Sequence, residues 1–199
     1  MKYSEINCSN LFYHILFISL FFILSLILII LLRYYIKLSQ TDETTSIKNF
    51  RGFRKVIKKI ILRQKQKSSP FTLILLDIDQ FRNFNFQGYD FGDAVLREFV
   101  KFISEQLPQK SIMARFKFGD EFILIIHSDV ITASKTIKQI QQNCALNLFH
   151  SSENQEPYHV HFSYGLAQFD EINNTLEKLL NCSEIELKKN KRKHVQTEA

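Results

Sequence analysis

The sequence predicts a mixed α/β (α+β) domain of about 160 residues that follows a single transmembrane helix. Two observations carry this prediction. Residues 11–32 contain no Asp, Glu, Lys or Arg, and the rest of the chain alternates helix-periodic with strand-like segments. The 199 residues are 45% hydrophobic and 23% charged, which excludes a disordered or collagen-like chain. The three cysteines are scattered, which excludes a disulfide scaffold and a CxxC zinc site.

The apolar run has the length that a membrane span needs. As a helix, residues 11–32 rise about 33 Å, enough for a hydrocarbon core of about 30 Å. A signal peptide has a shorter apolar stretch and a small-residue cleavage site, whereas this run ends at Arg33. Most flanking cations follow the run, so the positive-inside rule places residues 1–10 outside and everything after the span in the cytoplasm. We therefore expect a single-pass protein of a bacterial inner membrane.

The basic charge is confined to one band. The net charge of +6 arises from residues 33–67, with eleven Lys/Arg against two acids, whereas residues 68–199 are net acidic. An acidic globular part argues against a nucleic-acid partner. For the basic helix at residues 51–67, two interpretations stay open: contact with anionic lipid headgroups, or an ordinary solvated helix face.

The first half of the domain predicts a helix, a strand and a second helix. Apolar residues recur at helical spacing from Phe50 until Ser68-Ser69-Pro70. Residues 71–77 (FTLILLD) are typical of a central strand buried on both faces. A loop rich in Phe, Asn and Gly follows, and then a helix that Pro108 ends.

The second half predicts a hairpin and two further helices around a last strand. Residues 112–118 and 122–127 read as antiparallel strands joined at a Gly-Asp tip. A helix that includes residues 133–144 follows, then a polar loop at residues 146–157. Alternating apolar residues predict a strand over 158–164, and the chain closes with a helix.

Two acidic clusters indicate chemistry. Asp77-Ile78-Asp79 ends the buried strand, and Asp120-Glu121 lies at the hairpin. If the hairpin neighbours that strand, Asp77 and Asp120 converge as oxygen ligands suited to Mg²⁺ or Mn²⁺ that carries phosphates. Each cluster alone is also typical of a helix cap or an exposed turn, and Asp79 fits a cap better than a ligand. His159 and His161 share a strand face, where they could hold a metal or form a polar surface.

Residues 118–122, FGDEF, resemble the GGDEF signature of diguanylate cyclases, with Phe118 in place of the first Gly. Residues 77–93 (DIDQFRNFNFQGYDFGD) are similar to that family's DxDxFKxxNDxxGHxxGD segment. Matches at residues 42–53 and 162–167 extend the resemblance. It implies a nucleotidyl-cyclase or polymerase-palm-like GGDEF domain over residues 42–195, joined to the span by a connector at 33–41 and followed by a tail at 196–199.

The resemblance also implies roles for individual residues. Asp77, Asp120 and Glu121 match metal ligands for two Mg²⁺ or Mn²⁺ ions per active site, and Asp120 and Glu121 are the catalytic carboxylates. The substrate contacts that it implies are guanine readers at Asn85 and Asp93, phosphate contacts at Arg82 and Gly119, and a phosphate clamp at Lys188 and Arg192. For the last two, a solvated basic tail is an equal alternative.

The departures from the family pattern lie at the nucleotide site. Phe118 is expected to crowd GTP where a glycine lets the backbone approach phosphate. The interval from Asn85 to Asp93 is one residue shorter than in the family, and Phe86 and Tyr89 replace its Asp and His. The inhibitory RxxD motif is absent, because Gln109 and Ile112 stand at its ends.

Two functions are therefore expected from the resemblance. The first is synthesis of cyclic di-GMP from two GTP with release of two pyrophosphates, which requires a homodimer because each domain would hold one GTP. The second is a catalytically degenerate domain that binds GTP or another protein in cyclic di-GMP signalling. The retained acids favour the first, and Phe118 favours the second.

Overall fold

The computed structural model describes residues 8–64, 69–117, 119–151 and 154–197. The chain divides into two units, Met1–Ser39 and Gln40–Ala199. The described part of the first unit is one helix, α1 (Cys8–Leu38). Its segment Leu11–Leu38 is long and apolar enough to cross a membrane. The helix continues six residues past Leu32, so part of the predicted connector is helical.

A five-stranded sheet organises the second unit. Its strands are β1 (Lys48–Asn49), β2 (Thr72–Ile78), β3 (Ile112–Arg115), β4 (Glu121–Ile126) and β7 (Phe162–Gln168), in the spatial order β1-β3-β4-β2-β7. β1 pairs with β3 in parallel, and the other neighbours are antiparallel. Two further strands, β5 (Phe149–Ser151) and β6 (Asn154–Tyr158), form a separate pair.

The central strand β2 is buried along its whole length, as its continuous apolar run predicts. It pairs with β4 on one side and β7 on the other. Leu73 and Leu75 belong to one hydrophobic cluster, and Ile74 and Leu76 to another. Because side chains alternate across a sheet, the two clusters lie on its opposite faces.

Helices cover both faces of the sheet. They are α2 (Phe50–Gln64), α3 (Arg82–Phe86), α4 (Tyr89–Gln106), α5 (Val130–Leu146) and α6 (Leu176–Thr197). Apolar side chains of α4 and α5, among them Phe99 and Ile137, pack in the cluster of Ile74. Those of α2 and α6, among them Phe53 and Leu187, pack in the cluster of Leu73. The predicted mixed α/β fold is confirmed.

Several local predictions differ from the structure. The polar loop expected at 146–157 contains β5 and β6, and the strand expected over 158–164 starts only at Phe162. The apolar alternation continues through Val160, but that residue is fully buried between strands, and its carbonyl accepts a hydrogen bond from the Cys144 thiol at 3.2 Å. His159 and His161 therefore precede β7 and do not belong to a strand, although both line one cavity. The short helix α3 also lies inside the segment predicted as a loop.

Candidate functional site

Acidic residues meet where β2 ends and β4 begins. Asp77 lies directly opposite Glu121 in the antiparallel register, so their side chains are on the same face of the sheet. The Ile78 amide donates to the Asp120 carbonyl at 3.2 Å, which holds the hairpin end beside β2. The hairpin therefore neighbours β2, which is the condition under which the sequence predicts that the acids converge. The three acids lie together at this edge of the sheet.

Asp77 is the most perturbed acid of this group. Burial raises its pKa from the usual 3.8 to about 6, and the negative charges of Asp120 and Glu121 add to that increase. A contact with Lys191 acts in the opposite direction. The Asp77 carboxylate is thus a desolvated anion among like charges, which is the state that a bound cation relieves.

Lys191 of α6 makes the principal counter-charge. Its Nζ lies 2.5 Å from Asp77 Oδ1. Apart from this charge contact, Oδ1 is buried with no hydrogen-bond partner among the described residues. Lys188 and Arg192, the two cations that the resemblance implied as a phosphate clamp, are exposed on the same helix.

The sequence analysis did not single out Lys191, although its register carried a signal. Leu179, Ser183 and Leu187 recur every four residues and are all buried against the sheet. Lys191 is the next position of that stripe, so the helix directs it inward at the edge of the sheet. The spacing of four residues, continued through the basic tail, distinguishes Lys191 from the neighbouring cations.

The acids fit a divalent ion that shares its ligands with substrate. Among the described residues, no three His, Cys, Asp or Glu side chains form a group that could hold a metal. Mg²⁺ commonly binds one or two carboxylates and completes its shell with water and phosphate. The buried carboxylate of Asp77, which is paired only with Lys191 among the described residues, and the adjacent acids match that donor set.

Hydrogen bonds of Arg115 hold the hairpin next to the acids. Arg115 donates from Nε to the Gly119 carbonyl at 2.9 Å and from Nη1 to the Asp42 carboxylate at 3.1 Å. Gly119 has φ of 120°, a conformation that favours glycine, and Lys117 has φ of 55°. Phe118, the residue that departs from the family signature, lies outside the described residues.

The guanine residues implied by the resemblance lie on two adjacent helices. Asn85 is on α3 and Asp93 is on α4, with Gly88 at φ 132° in the turn between them. The Asn85 side-chain oxygen packs so closely on Gly92 that a Cβ there would overlap it. Asn85 and Asp93 are therefore near neighbours despite the shortened loop.

Arg82 lies on the exposed side of α3. Its guanidinium is 5.2 Å from the centre of the Phe86 ring, one helical turn further along. The aromatic residue that replaces a family acid thus contacts the cation expected near the phosphates.

A cavity of about 620 Å³ adjoins the acidic edge. It is lined by Asp79, Gln80, Asn83, Phe84, Gln141, Gln142, Ala145, His159, His161, Phe162 and Lys191. Asp79 accepts a hydrogen bond from the Ser163 hydroxyl of β7 at 2.8 Å, whereas the N-cap position of α3 is Phe81. Lys191 reaches both Asp77 and this cavity, so one cation connects the acids with a space of ligand size.

Comparisons with known proteins agree on one family. The family model "Diguanylate cyclase, GGDEF domain" matches residues 39–197. The response regulator PleD of Caulobacter vibrioides is 26% identical over 147 residues, which are 73% of this chain and 32% of PleD. A diguanylate cyclase of Vibrio cholerae is 27% identical over 158 residues, 78% of this chain and 48% of that protein. The chain thus spans a third to a half of the length of these curated relatives.

The comparison with solved structures shows the fold. The coiled coil and GGDEF domain of DgcB from Caulobacter crescentus, solved in complex with c-di-GMP, superposes with a TM-score of 0.75. The match has 20% sequence identity and covers 88% of this chain and 94% of that one. The signature at the hairpin, the order of the strands and the family match over four fifths of the sequence have one explanation: this chain belongs to the GGDEF diguanylate cyclase family.

Proposed function

We propose that the domain binds GTP and condenses two GTP molecules into cyclic di-GMP, with release of two pyrophosphates. The observation that carries this proposal is the position of Asp77 opposite Glu121 at the sheet edge, where the buried Asp77 carboxylate has Lys191 as its only ion-pair partner among the described residues. A cluster of three acids beside one lysine suits a substrate that is delivered with divalent metal. Relatives named diguanylate cyclases support the same reaction.

Asp77, Asp120 and Glu121 are the residues that would hold Mg²⁺ or Mn²⁺, two ions per active site. When bound, the ions supply neutralisation of phosphate charge and acidify the attacking hydroxyl. The acids of the chain alone would repel a triphosphate, which is why the cations beside them matter.

The reaction joins each 3′-oxygen to the α-phosphorus of the other nucleotide. The bond from that phosphorus to pyrophosphate breaks, and the 3′-hydroxyl proton passes to a carboxylate at the hairpin, Asp120 or Glu121. Because one domain would hold one GTP, two copies of the chain must face each other. A homodimer is therefore part of the proposal.

The remaining residues would bind and orient GTP. Asn85 offers both a donor and an acceptor to guanine, and the Asp93 carboxylate accepts from guanine N–H groups. Arg82, Gly119 and Lys191 would contact the phosphates, with Lys188 and Arg192 further along the exposed side of α6. Lys191 is 40% exposed, so it is able to leave Asp77 and pair with a phosphate oxygen.

We propose further that α1 anchors the protein in a bacterial inner membrane, with the GGDEF domain in the cytoplasm. Support comes from the length and apolarity of Leu11–Leu38 and from the cations that follow Leu32. The cytoplasm is also where GTP is available to the domain.

The test uses the full chain, purified in detergent and incubated with GTP and Mg²⁺, then Mn²⁺. Products are separated by chromatography and identified by mass, and Asp120→Ala is the matched blank. A cyclic dinucleotide that is absent from the blank supports the proposal. A folded, dimeric sample that binds GTP without forming product would instead establish the degenerate, nucleotide-binding alternative.

A further inference from the structure

Helix α2 presents six cations to solvent. They are Arg51, Arg54, Lys55, Lys58, Lys59 and Arg63, all exposed, and the helix contains no acid. Among the described residues, none of the six forms an ion pair. Surface helices ordinarily intersperse acids at i+4, which relieves like-charge repulsion. This face has no counter-charge of its own.

The cations form a surface directly opposite the core. Phe53, Ile57 and Ile60 are buried at i, i+4 and i+7. Arg51, Lys55 and Lys58 have the same spacing two positions earlier, which puts them on the opposite side of the helix. The stripe ends in Leu62, which is 57% exposed among the cations. A large apolar side chain within a basic face is typical of a helix at a lipid interface.

We propose that this basic face of α2 binds anionic phospholipid headgroups, with Leu62 at the acyl boundary. The 15-residue helix spans about 22 Å, so its cations can contact several headgroups in one plane. Only eleven residues separate the end of α1 at Leu38 from the start of α2 at Phe50. That tether is at most about 40 Å long, which confines α2 to the neighbourhood of any membrane that α1 enters.

The charge of the rest of the domain favours this surface as the site of membrane contact. Residues 68–199 are net negative, so an anionic bilayer repels the remainder of the domain and attracts α2. The six cations face away from the core beneath α2, so lipid binding through them would leave the packing of α2 on the sheet in place.

The experiment uses residues 40–199, which lack α1. Both hydrophobic clusters lie entirely within this unit, so it carries its own core. Sedimentation is measured with vesicles of phosphatidylcholine alone and with vesicles containing 30 mol% phosphatidylglycerol, roughly the composition range over which basic helices respond. We expect at least about tenfold tighter binding to the anionic vesicles, and loss of that difference in 0.5 M salt.

Two triple variants of equal net charge identify the surface. Arg51→Glu with Lys55→Glu and Lys58→Glu should abolish binding, whereas Lys101→Glu with Lys135→Glu and Lys138→Glu, on the opposite face of the sheet, should weaken it less than about threefold. Leu62→Ala should reduce binding without changing its salt dependence. Circular dichroism establishes that each variant is folded, and these side chains are all exposed.

Three outcomes would overturn the proposal: no preference for anionic vesicles, equal loss in the two triple variants, or binding of a single-stranded oligonucleotide through the same residues in preference to vesicles. Because the assay contains neither α1 nor GTP, its result is independent of the membrane anchor and of the cyclase activity proposed above.

Discussion

Asp77 is the residue at which stability and proposed function oppose each other. Its carboxylate is buried and two further acids lie nearby, and the ion pair with Lys191 offsets this cost only in part, since the pKa of Asp77 stays raised. In the absence of a metal ion, the charged form of Asp77 therefore destabilises the folded domain. Sites of this kind are retained for what they bind, and neutral substitution there commonly raises stability.

Asp77→Asn should therefore stabilise the metal-free domain. The folded pKa of about 6 exceeds the usual 3.8, so folding favours the protonated acid. The destabilising contribution of the charge is absent below about pH 4, grows between about pH 4 and 6, and is fully present above about pH 6. In chelator at pH 7.5 we expect a gain on the order of 1–3 kcal/mol, and little difference at pH 4.

Thermal unfolding of both proteins at the two pH values measures this gain. Asp90→Asn, at an exposed position of α4, is the matched control and should stay within about 0.5 kcal/mol. Mg²⁺ should stabilise the wild type more than Asp77→Asn, because only the wild type retains the carboxylate ligand. Equal melting temperatures at pH 7.5 would contradict the account of Asp77 as a destabilising anion.

Lys191 offers a test of which cation of α6 serves the nucleotide. Lys191→Gln should weaken GTP binding about tenfold or more, since it removes the cation between Asp77 and the cavity. Lys188→Gln, one helical turn earlier and exposed, should change it less than about twofold. Titration with GTP and Mg²⁺ measures both, and equal effects would show that the register of α6 does not select the phosphate contact.

Phe118→Gly tests the departure from the family signature. We expect higher GTP affinity and turnover, because glycine removes a benzyl group where backbone must approach phosphate. Phe118→Ala separates the two causes: it removes the bulk but keeps a Cβ beside Gly119, which itself needs φ of 120°. Unchanged GTP affinity and turnover in Phe118→Gly would mean that crowding at this position is not what limits the domain.

At the scale of elements, the packing of α6 on β7 positions Lys191. Gly165 of β7 lies against the backbone of α6, where an added Cβ would overlap the Ser183 carbonyl oxygen and the Leu187 nitrogen. Asn190 donates to the Tyr164 carbonyl at 2.9 Å and fixes the helix along the strand. The close approach at Gly165 therefore determines how near α6 packs to β7, and with it how far the Lys191 side chain extends toward Asp77.

Gly165→Ala should destabilise the domain by about 2–3 kcal/mol, because backbone on both sides must move apart. Asn181→Ala, exposed on the same helix, is the control and should be near neutral. Urea unfolding measures both. We also expect Gly165→Ala to lower GTP affinity at temperatures where it remains folded, since α6 carries Lys191 outward. A stable variant with wild-type affinity would show that this contact does not position the helix.

Patterns of burial explain which elements the sequence could predict. β2 and the hairpin were predictable because a continuous apolar run and a short Gly-Asp turn are strong local signals. β5 and β6 were not, since their residues are mostly polar. Tertiary packing supports their pairing. The Phe149 ring of β5 stacks on the Tyr158 ring of β6, and its centre lies 5.3 Å from the centre of the Phe102 ring of α4.

The candidate site was predictable to the same extent. The acids were found because two motifs end at strand termini, and antiparallel pairing then brings them together. Lys191 was missed because it lies in a run of similar cations, KKNKRK, and only the packing register of α6 on β7 distinguishes it. Local sequence describes charge well, but the choice among equal charges depends on tertiary packing.

At the scale of the whole molecule, charge and apolarity follow one order along the chain. A predominantly apolar helix comes first, a basic helix second and a net acidic remainder last. This order is suited to a protein that enters a membrane, contacts its anionic surface and keeps the acids of its proposed active site in solution. Each step of that arrangement requires that the domain be on the cytoplasmic side.

Fusion reporters at the C-terminus test that orientation. Since Lys2 alone precedes the apolar helix and Arg33 and Lys37 follow it at once, a C-terminal green fluorescent protein should fluoresce in the membrane fraction of a bacterial host. Alkaline phosphatase at the same position should be inactive. The matched control, residues 40–199 with either reporter, should leave the membrane pellet in high salt, because surface contacts through α2 are screened and α1 is missing. Active phosphatase on the full chain would place the domain outside the cytoplasm, away from GTP, and would remove the basis for the cyclase proposal together with the anchor's orientation.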